Sequence, residues 1–359
     1  MPKPIRFAQI SFWFSHARGI CNAARKHPNV ELTAVWDADP DKGRAAADQF
    51  ETEFIADLDE LLARDDIDAV GICSETQLHG EHIIKAVEAG KHCMVEKPFT
   101  RTPEQADAAI AAAEKAGVQV MPVYNLRFSP AHERMKQAVD SGELGKICQV
   151  RRRHGHDKYS AQDFDADRIL NDPEDPWVDA VGEGRSSLYH AGSHSVFWMQ
   201  WMFGMPESVV SLGGASVDGL PVEDNNAAVF RYSDGKIVTL HTSETETRAP
   251  LATEIYGHTG SLIQVRGDHP SSKLDFGDPA TLMLYDGETE AWQPLSDFHR
   301  AFVPPGYGVF DKFFDALAED ADEMPITMYD GRECVQILAA AELAANEKRQ
   351  VELSEITGR

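Results

Sequence analysis

Residues 68–99 read DAVGICSETQLHGEHIIKAVEAGKHCMVEKPF, and this stretch decides the fold. Ala69-Val70-Gly71-Ile72-Cys73 is a short apolar run, the pattern of a parallel strand buried on both faces. Across residues 82–89 apolar side chains recur at Ile83, Ile84 and Val87, the spacing of a helix that lays one face on a sheet. Gly90 stops that helix. His92–Val95 reads as a second strand, and Pro98 bars it from continuing. In an open parallel sheet, ligands sit at the carboxyl ends of the strands. Ser74, Glu75, Glu96 and Lys97 fall there, so the unit delivers a lysine to the place where chemistry is expected.

Working outward, Ile5–Ile10, Val30–Trp36 and residues 118–123 read as further strands. Residues 41–50 and 102–116 read as helices, the second opened by Thr102 as cap with Pro103 in the first turn. The alternation predicts an α/β fold, with a Rossmann-type doubly wound parallel sheet over residues 1–124. A helix over 129–141 follows without a low-complexity linker, and from Ile147 the pattern changes. Strands at 147–153, 208–213, 227–232, 236–242 and 253–256 are separated by turn residues, with a hairpin signal at Tyr232-Ser233-Asp234-Gly235-Lys236. Residues 125–359 therefore form a second, α+β domain. It has a large, mostly antiparallel sheet, helices on one face, and closing helices near 310–317 and 331–346.

The 359 residues suffice for two domains, and a hydrophobic content of 42% allows a sizeable core. No apolar run approaches the ~20 residues of a membrane span, and the N-terminus enters a strand without a signal-peptide pattern. Cys21, Cys73, Cys93, Cys148 and Cys334 show no CxxC spacing and read as reduced residues of a cytoplasmic protein. The net charge of −25 argues against nucleic acid or an anionic membrane as partner, since a polyanion needs a basic face.

The Glu96-Lys97-Pro98 tripeptide closing this βαβ unit resembles the signature of the Gfo/Idh/MocA oxidoreductases. Asp37, Cys73-Ser74-Glu75, Asn125-Leu126-Arg127-Phe128-Ser129-Pro130 and Gly192-Ser193-His194 occur in that family's order. The resemblance covers nearly the whole chain. It implies an NAD(P)-dependent dehydrogenase acting on a sugar, polyol or related hydroxy compound, with the second domain contributing the substrate site and pairing into homodimers or homotetramers. It also implies cofactor contacts from Ser74, Glu75, His79, Glu96, Lys97 and Asn125.

A dinucleotide site normally has glycines after the first strand, where backbone approaches the pyrophosphate at a helix N-terminus. Here the segment is Ile10-Ser11-Phe12-Trp13-Phe14-Ser15-His16, and no glycine appears until Gly19. Ser11 stands at the first glycine position, and Trp13 stands at another. Two readings remain. NAD(P) binds with Ser11 and backbone amides on the phosphates and Phe12, Trp13 or Phe14 against the cofactor; or the loop is closed and the dinucleotide is lost. Asp37 at the end of the second strand can accept both ribose hydroxyls and repel a 2′-phosphate, which points to NAD over NADP. Asp39 serves better as the cap of the following helix.

By resemblance Lys97, His194 and His190 are the catalytic candidates, the lysine polarising the hydroxyl and the His194 imidazole transferring its proton. The family has an aspartate four residues before that histidine; this chain has His190. On one helix His190 and His194 would share a face. His154, His156, Tyr159, Trp177 and Tyr189 are the remaining substrate candidates, with Arg127 either in the pocket or a structural anchor. His154, His156, His190 and His194 also carry metal-ligand chemistry. That set, the missing glycines and the replaced aspartate together support an alternative: a non-redox, metal-dependent lyase or hydrolase on the same fold. Histidines that bind sugar hydroxyls account for the set equally well.

Overall fold

The computed structural model describes residues 4–155, 187–217, 222–245, 252–264, 282–295 and 308–356. The chain divides into two compact units. One holds Met1–Tyr124, Pro304–Val335 and Gly358–Arg359; the other holds Asn125–Val303 and Gln336–Thr357.

The first unit carries β1 (Ile5–Ile10), β2 (Val30–Trp36), β3 (Glu53–Phe54), β4 (Ala69–Ile72), β5 (His92–Val95) and β6 (Val120–Pro122). Their order is β3-β2-β1-β4-β5-β6, with every neighbouring pair parallel. The chain direction across the sheet reverses between β1 and β4, so a crevice is expected at their carboxyl ends. Between the strands run α1 (His16–Lys26), α2 (Pro40–Phe50), α3 (Leu58–Leu62), α4 (Thr76–Glu88) and α5 (Pro103–Ala116). All four residues of β4 are buried, as its unbroken apolar run requires. Ile83, Ala86 and Val87 of α4 are fully buried in the core cluster beneath it; burying Ile83 alone is worth roughly 1.5–3 kcal/mol. Thr102 and Gln105 form the capping box of α5, and Gly117, at φ 69°, ends it.

One difference matters for the site. Helix α4 begins at Thr76, six residues before the helix expected from residue 82. Its first turns bury polar side chains, Thr76 and His79, each wholly inaccessible. These residues face the strand ends instead of a greasy core, so hydrophobic spacing does not reveal them. The segment α9 (Val309–Ala318) also packs with this unit, setting Phe314 edge-on to Phe7 of β1 at 5.1 Å.

The second unit contains α6 (Pro130–Asp140), β7 (Ile147–Gly155), α7 (Ser187–His190), α8 (Gly192–Phe203), β8 (Ser208–Gly214), β9 (Asn225–Arg231) and β10 (Ile237–Ser243). It continues with β11 (Ala252–Gly257), β12 (Gly260–Gln264), β13 (Leu282–Asp286), β14 (Ala291–Leu295) and β15 (Val351–Glu352), while α10 (Met328–Glu347) crosses the division between the units. The nine strands are ordered β14-β13-β12-β11-β7-β10-β9-β8-β15. Described neighbours are antiparallel except β7 and β10, which run parallel. The hairpin forms where Asp234-Gly235 predicted it, with Gly235 at φ 87°.

The parallel pair sets the carboxyl ends of β7 and β10 side by side, aligning His154 with Thr242 and Gly155 with Ser243. Helix α8 is apolar almost all round and is buried to match. The buried Arg152 guanidinium fastens it to the sheet. Nε donates to Ser195 Oγ at 2.8 Å, Nη1 donates to Thr253 Oγ1 at 2.6 Å, and the guanidinium lies 4.5 Å from the Trp198 ring centre. The sheet also carries exposed Val210, Leu212 and Val229, with Val210 and Val229 directly paired across β8 and β9. Among the described residues no helix is long and apolar enough to cross a membrane.

Candidate active site

At the end of β1 the backbone of Ser11 adopts φ 64°, the left-handed region where glycine is usual. A serine there carries strain that its surroundings must offset. Ser11 N–H donates to the Trp36 carbonyl at 2.7 Å, and the Gln9 side-chain amide donates to the Ser11 carbonyl at 3.1 Å. The Asp37 carboxylate completes the hold. Oδ2 accepts from Phe12 N–H at 2.6 Å and from Ser11 Oγ at 3.3 Å, and Oδ1 accepts from Asp39 N–H at 2.9 Å. Ser11 Oγ in turn accepts from Trp13 N–H at 3.2 Å. A carboxylate offers about four lone-pair directions, so these donors leave room for about one ribose hydroxyl at Asp37, not two.

The loop aromatics separate by role. Phe12 is buried and stacks on Phe50 at 6.3 Å, while Phe14 is buried with Lys97 Nζ 5.9 Å from its ring centre. Trp13 is the partly exposed member, and its Nε1 has no hydrogen-bond partner. Helix α1 starts just beyond with no side-chain cap and no acid in its first turn. Such a terminus suits a phosphate. Thr76 Oγ1 and Glu96 Oε1 are likewise buried at strand ends without a partner. Unsatisfied polar atoms, an uncapped helix and a strand-end carboxylate together fit a dinucleotide.

Glu96 and Lys97 follow β5 at the same sheet edge, and both are buried. Glu96 Oε2 meets His16 Nδ1 at 3.1 Å, a partner that sequence reading missed because it lies 80 residues away. Burial pushes the Glu96 carboxyl up. The charge and hydrogen bond of His16, the Lys97 ammonium and the Lys97 backbone N–H outweigh that and hold it below its ordinary value. His79 lies wholly buried between two carbonyls, Nδ1 at 3.0 Å from Pro98 O and Nε2 at 2.9 Å from Ser74 O. Ser74 Oγ meets His82 Nδ1 at 2.8 Å, and burial pushes His82 down to about 4. Ser74 and His79 thus brace the Lys97-Pro98 turn, and Glu75 is half-buried at the head of α4.

In the second unit Asn125 is exposed, and Arg127 lies 5.9 Å from the Trp201 ring centre. His190 and His194 do not share one continuous helix. His190 ends α7, and His194 sits in the first turn of α8. Gly192 between them approaches β10 closely; a Cβ there would stand 3.0 Å from Thr242 Cγ2. As a result His194 stacks on His154 at 5.5 Å and 7°, while His190 Nδ1 meets Glu244 Oε1 at 2.8 Å. Near-parallel stacking does not converge two lone pairs on one ion. Among the described residues no group of three or more potential ligands is arranged to hold a metal. Tyr189 is fully buried. His156, Tyr159 and Trp177 lie outside the described residues.

Comparison with known proteins bears on this geometry. The profile described as "Oxidoreductase family, NAD-binding Rossmann fold" matches residues 14–124, and that of the GFO/IDH/MocA C-terminal domain matches residues 132–263. This chain belongs to the Gfo/Idh/MocA oxidoreductase family. The family match thus begins after the glycine-poor turn at Ser11–Trp13. Inositol 2-dehydrogenase of Rhizobium meliloti is 24% identical over 344 residues, covering 94% of this chain and 95% of that one. The scyllo-inositol 2-dehydrogenase (NADP(+)) IolU of Bacillus subtilis is 29% identical over 302 residues, covering 79% and 86%. A levoglucosan dehydrogenase solved with NADH and levoglucosan matches the fold with TM-score 0.80 at 18% identity, covering 98% of this chain and 100% of that one. The chain is an NAD(P)-dependent oxidoreductase, and these relatives lend nothing to the non-redox alternative.

The depressed Glu96 carboxyl gives a pH signature. A group whose folded pKa lies below its unfolded value stabilises fully above the unfolded value, about 4.3 for glutamate. That stabilisation is lost as pH falls through the folded value. Glu96→Gln should therefore flatten the acid limb of a stability–pH curve measured by urea unfolding. An unchanged acid limb would contradict the Glu96–His16–Lys97 arrangement.

Proposed function

We propose that this chain interconverts a sugar or polyol CH–OH and its carbonyl, with NAD(H) preferred. The observation that carries the reading is the Asp37-held turn at the ends of β1 and β2, with buried Glu96-Lys97 at the end of β5 in the same sheet. The inositol dehydrogenases among the relatives support the substrate class.

A bound NAD+ would supply the hydride acceptor for the carbinol carbon, which would become a carbonyl as the hydroxyl proton passes to a base of the chain. Ser11 and the α1 terminus hold the pyrophosphate, Trp13 packs on the cofactor, and Asp37 takes a ribose hydroxyl. Phe12 and Phe14 build the floor of the loop. Ser74, Glu75 and His79 shape the strand end, and Asn125 adds a cofactor contact. Lys97 polarises the substrate hydroxyl, and His194 takes its proton. His190, Tyr189 and His154 bind or orient substrate, as do His156, Tyr159 and Trp177 by the sequence reading. The domain roles follow: residues 1–124, with residues 304–335 packed in the same unit, bind cofactor, and the rest of residues 125–359 binds substrate and associates. The exposed Val210, Leu212 and Val229 suit a sheet-to-sheet homodimer or tetramer.

Three measurements test this reading. With NAD+ and a panel of inositols and sugars, Lys97→Met should keep NADH binding and lose at least ~10²-fold in kcat; undiminished turnover would remove the mechanism. NADH should bind more tightly than NADPH, and Asp37→Ala should narrow the difference; tighter NADPH binding by the unmodified protein would reverse the cofactor assignment. Light scattering at micromolar concentration should give a multiple of the single-chain mass, reduced by Leu212→Glu; a single-chain mass would refute association.

A further inference from the structure

The chain has no aspartate four residues before His194, yet a carboxylate is present at that point of the fold. Glu244 follows the last residue of β10 and is fully buried. Its Oε1 stands 2.8 Å from His190 Nδ1, and its backbone N–H donates to the Asp224 carbonyl at 2.9 Å. The seating of α7 enforces this meeting. Ser187 Oγ and Thr242 Oγ1 are 3.1 Å apart, Gly192 lies against Thr242, and Ser193 Oγ donates to the His190 carbonyl at 3.0 Å. The parallel pairing of β7 and β10 brings His154, and hence its stacking partner His194, to the same strand ends.

We propose that Glu244 is a positioning residue for the reaction and that the Glu244–His190 pair replaces the family's aspartate. The proposal rests on the dehydrogenase reading above. Glu244 fixes the His190 tautomer: the Nδ1 proton is donated to the carboxylate, and Nε2 bears the lone pair. When Nε2 takes a proton from the substrate hydroxyl, or from His194 after that residue has taken it, the resulting imidazolium lies beside a buried negative charge. No net charge is created in that pocket, because the proton arrives where Glu244 already supplies the counter-charge. A lone carboxylate in the family arrangement would do this directly; here it acts through a ring. Glu244 touches no reacting atom in this scheme.

The test uses the full-length protein. Glu244→Gln keeps shape but removes the charge and permits the amide to donate to Nδ1, which selects the wrong tautomer. Its kcat should fall at least ~10-fold, with NADH affinity and melting temperature little changed and KM within about threefold of the unmodified enzyme. A purely structural Glu244 would instead lower the melting temperature and leave the kcat of the folded fraction intact. His190→Asp places two carboxylates together, so it should be strongly impaired. Adding Glu244→Gln to it should raise activity, a reversal of sign that packing alone does not produce.

Histidine 15N chemical shifts of the unmodified protein give a readout that needs neither folding of a variant nor turnover. His190 should show a protonated Nδ1. A His190 with unprotonated Nδ1, or a Glu244→Gln kcat within twofold of the unmodified protein, would overturn the proposal. If that occurs while Lys97→Met still abolishes turnover, the dehydrogenase reading stands without it. If the unmodified protein turns over no polyol with NAD+ while His190 keeps its Nδ1 proton, the substrate reading fails and the pair remains.

Discussion

The Asp37 carboxylate is the contact that holds the turn after β1 in the first unit. A glycine-rich turn reaches its shape because glycine tolerates left-handed backbone. This chain reaches it with serine, and the conformation persists because Asp37 binds the Phe12 amide and the Ser11 hydroxyl. With its glycines gone, the loop is held by a charge at the end of the neighbouring strand. The same carboxylate retains about one acceptor direction, so the proposed ribose contact would be coupled to loop shape. A substitution at Asp37 acts on both.

Much of the fold was legible because burial imposes a period. The apolar run of β4, the one-sided spacing of Ile83, Ile84 and Val87, and the Thr102-Pro103 cap each have a local cause that the sequence exposes. The early start of α4 was not legible, because Thr76 and His79 are buried for hydrogen bonding and break the apolar pattern. The side chains of the candidate site were readable by type and partly by place. Lys97 and Asp37 lie at strand ends as their positions in the sequence require. The long-range partners of Glu96 and His190 were invisible. His16 is 80 residues from Glu96 and Glu244 is 54 residues from His190, and no local pattern joins residues so far apart. His190 and His194 fall in two successive helical segments, α7 and α8, parted only at Ala191, and Gly192 at the start of the second lies against Thr242.

The two units show a common device. In the first, a buried carboxylate at a strand end restrains a loop that lacks its usual glycines. In the second, a buried carboxylate at a strand end meets a histidine that stands in an aspartate's place. In each case a residue type departs from the family pattern, and a carboxylate just beyond a nearby strand end meets it. Buried carboxylates are costly without donors, so each fixes the geometry of the group that satisfies it.

The central claim is that a glycine-poor, Asp37-held loop still takes a dinucleotide. Trp13 sits in that loop, so tryptophan fluorescence reports on it directly. Titrating the protein and its Trp13→Phe variant with NADH should quench emission saturably in the unmodified protein, with a smaller amplitude in the variant at similar affinity. Absence of saturable quenching or binding heat with either NADH or NADPH at millimolar concentration would contradict the account.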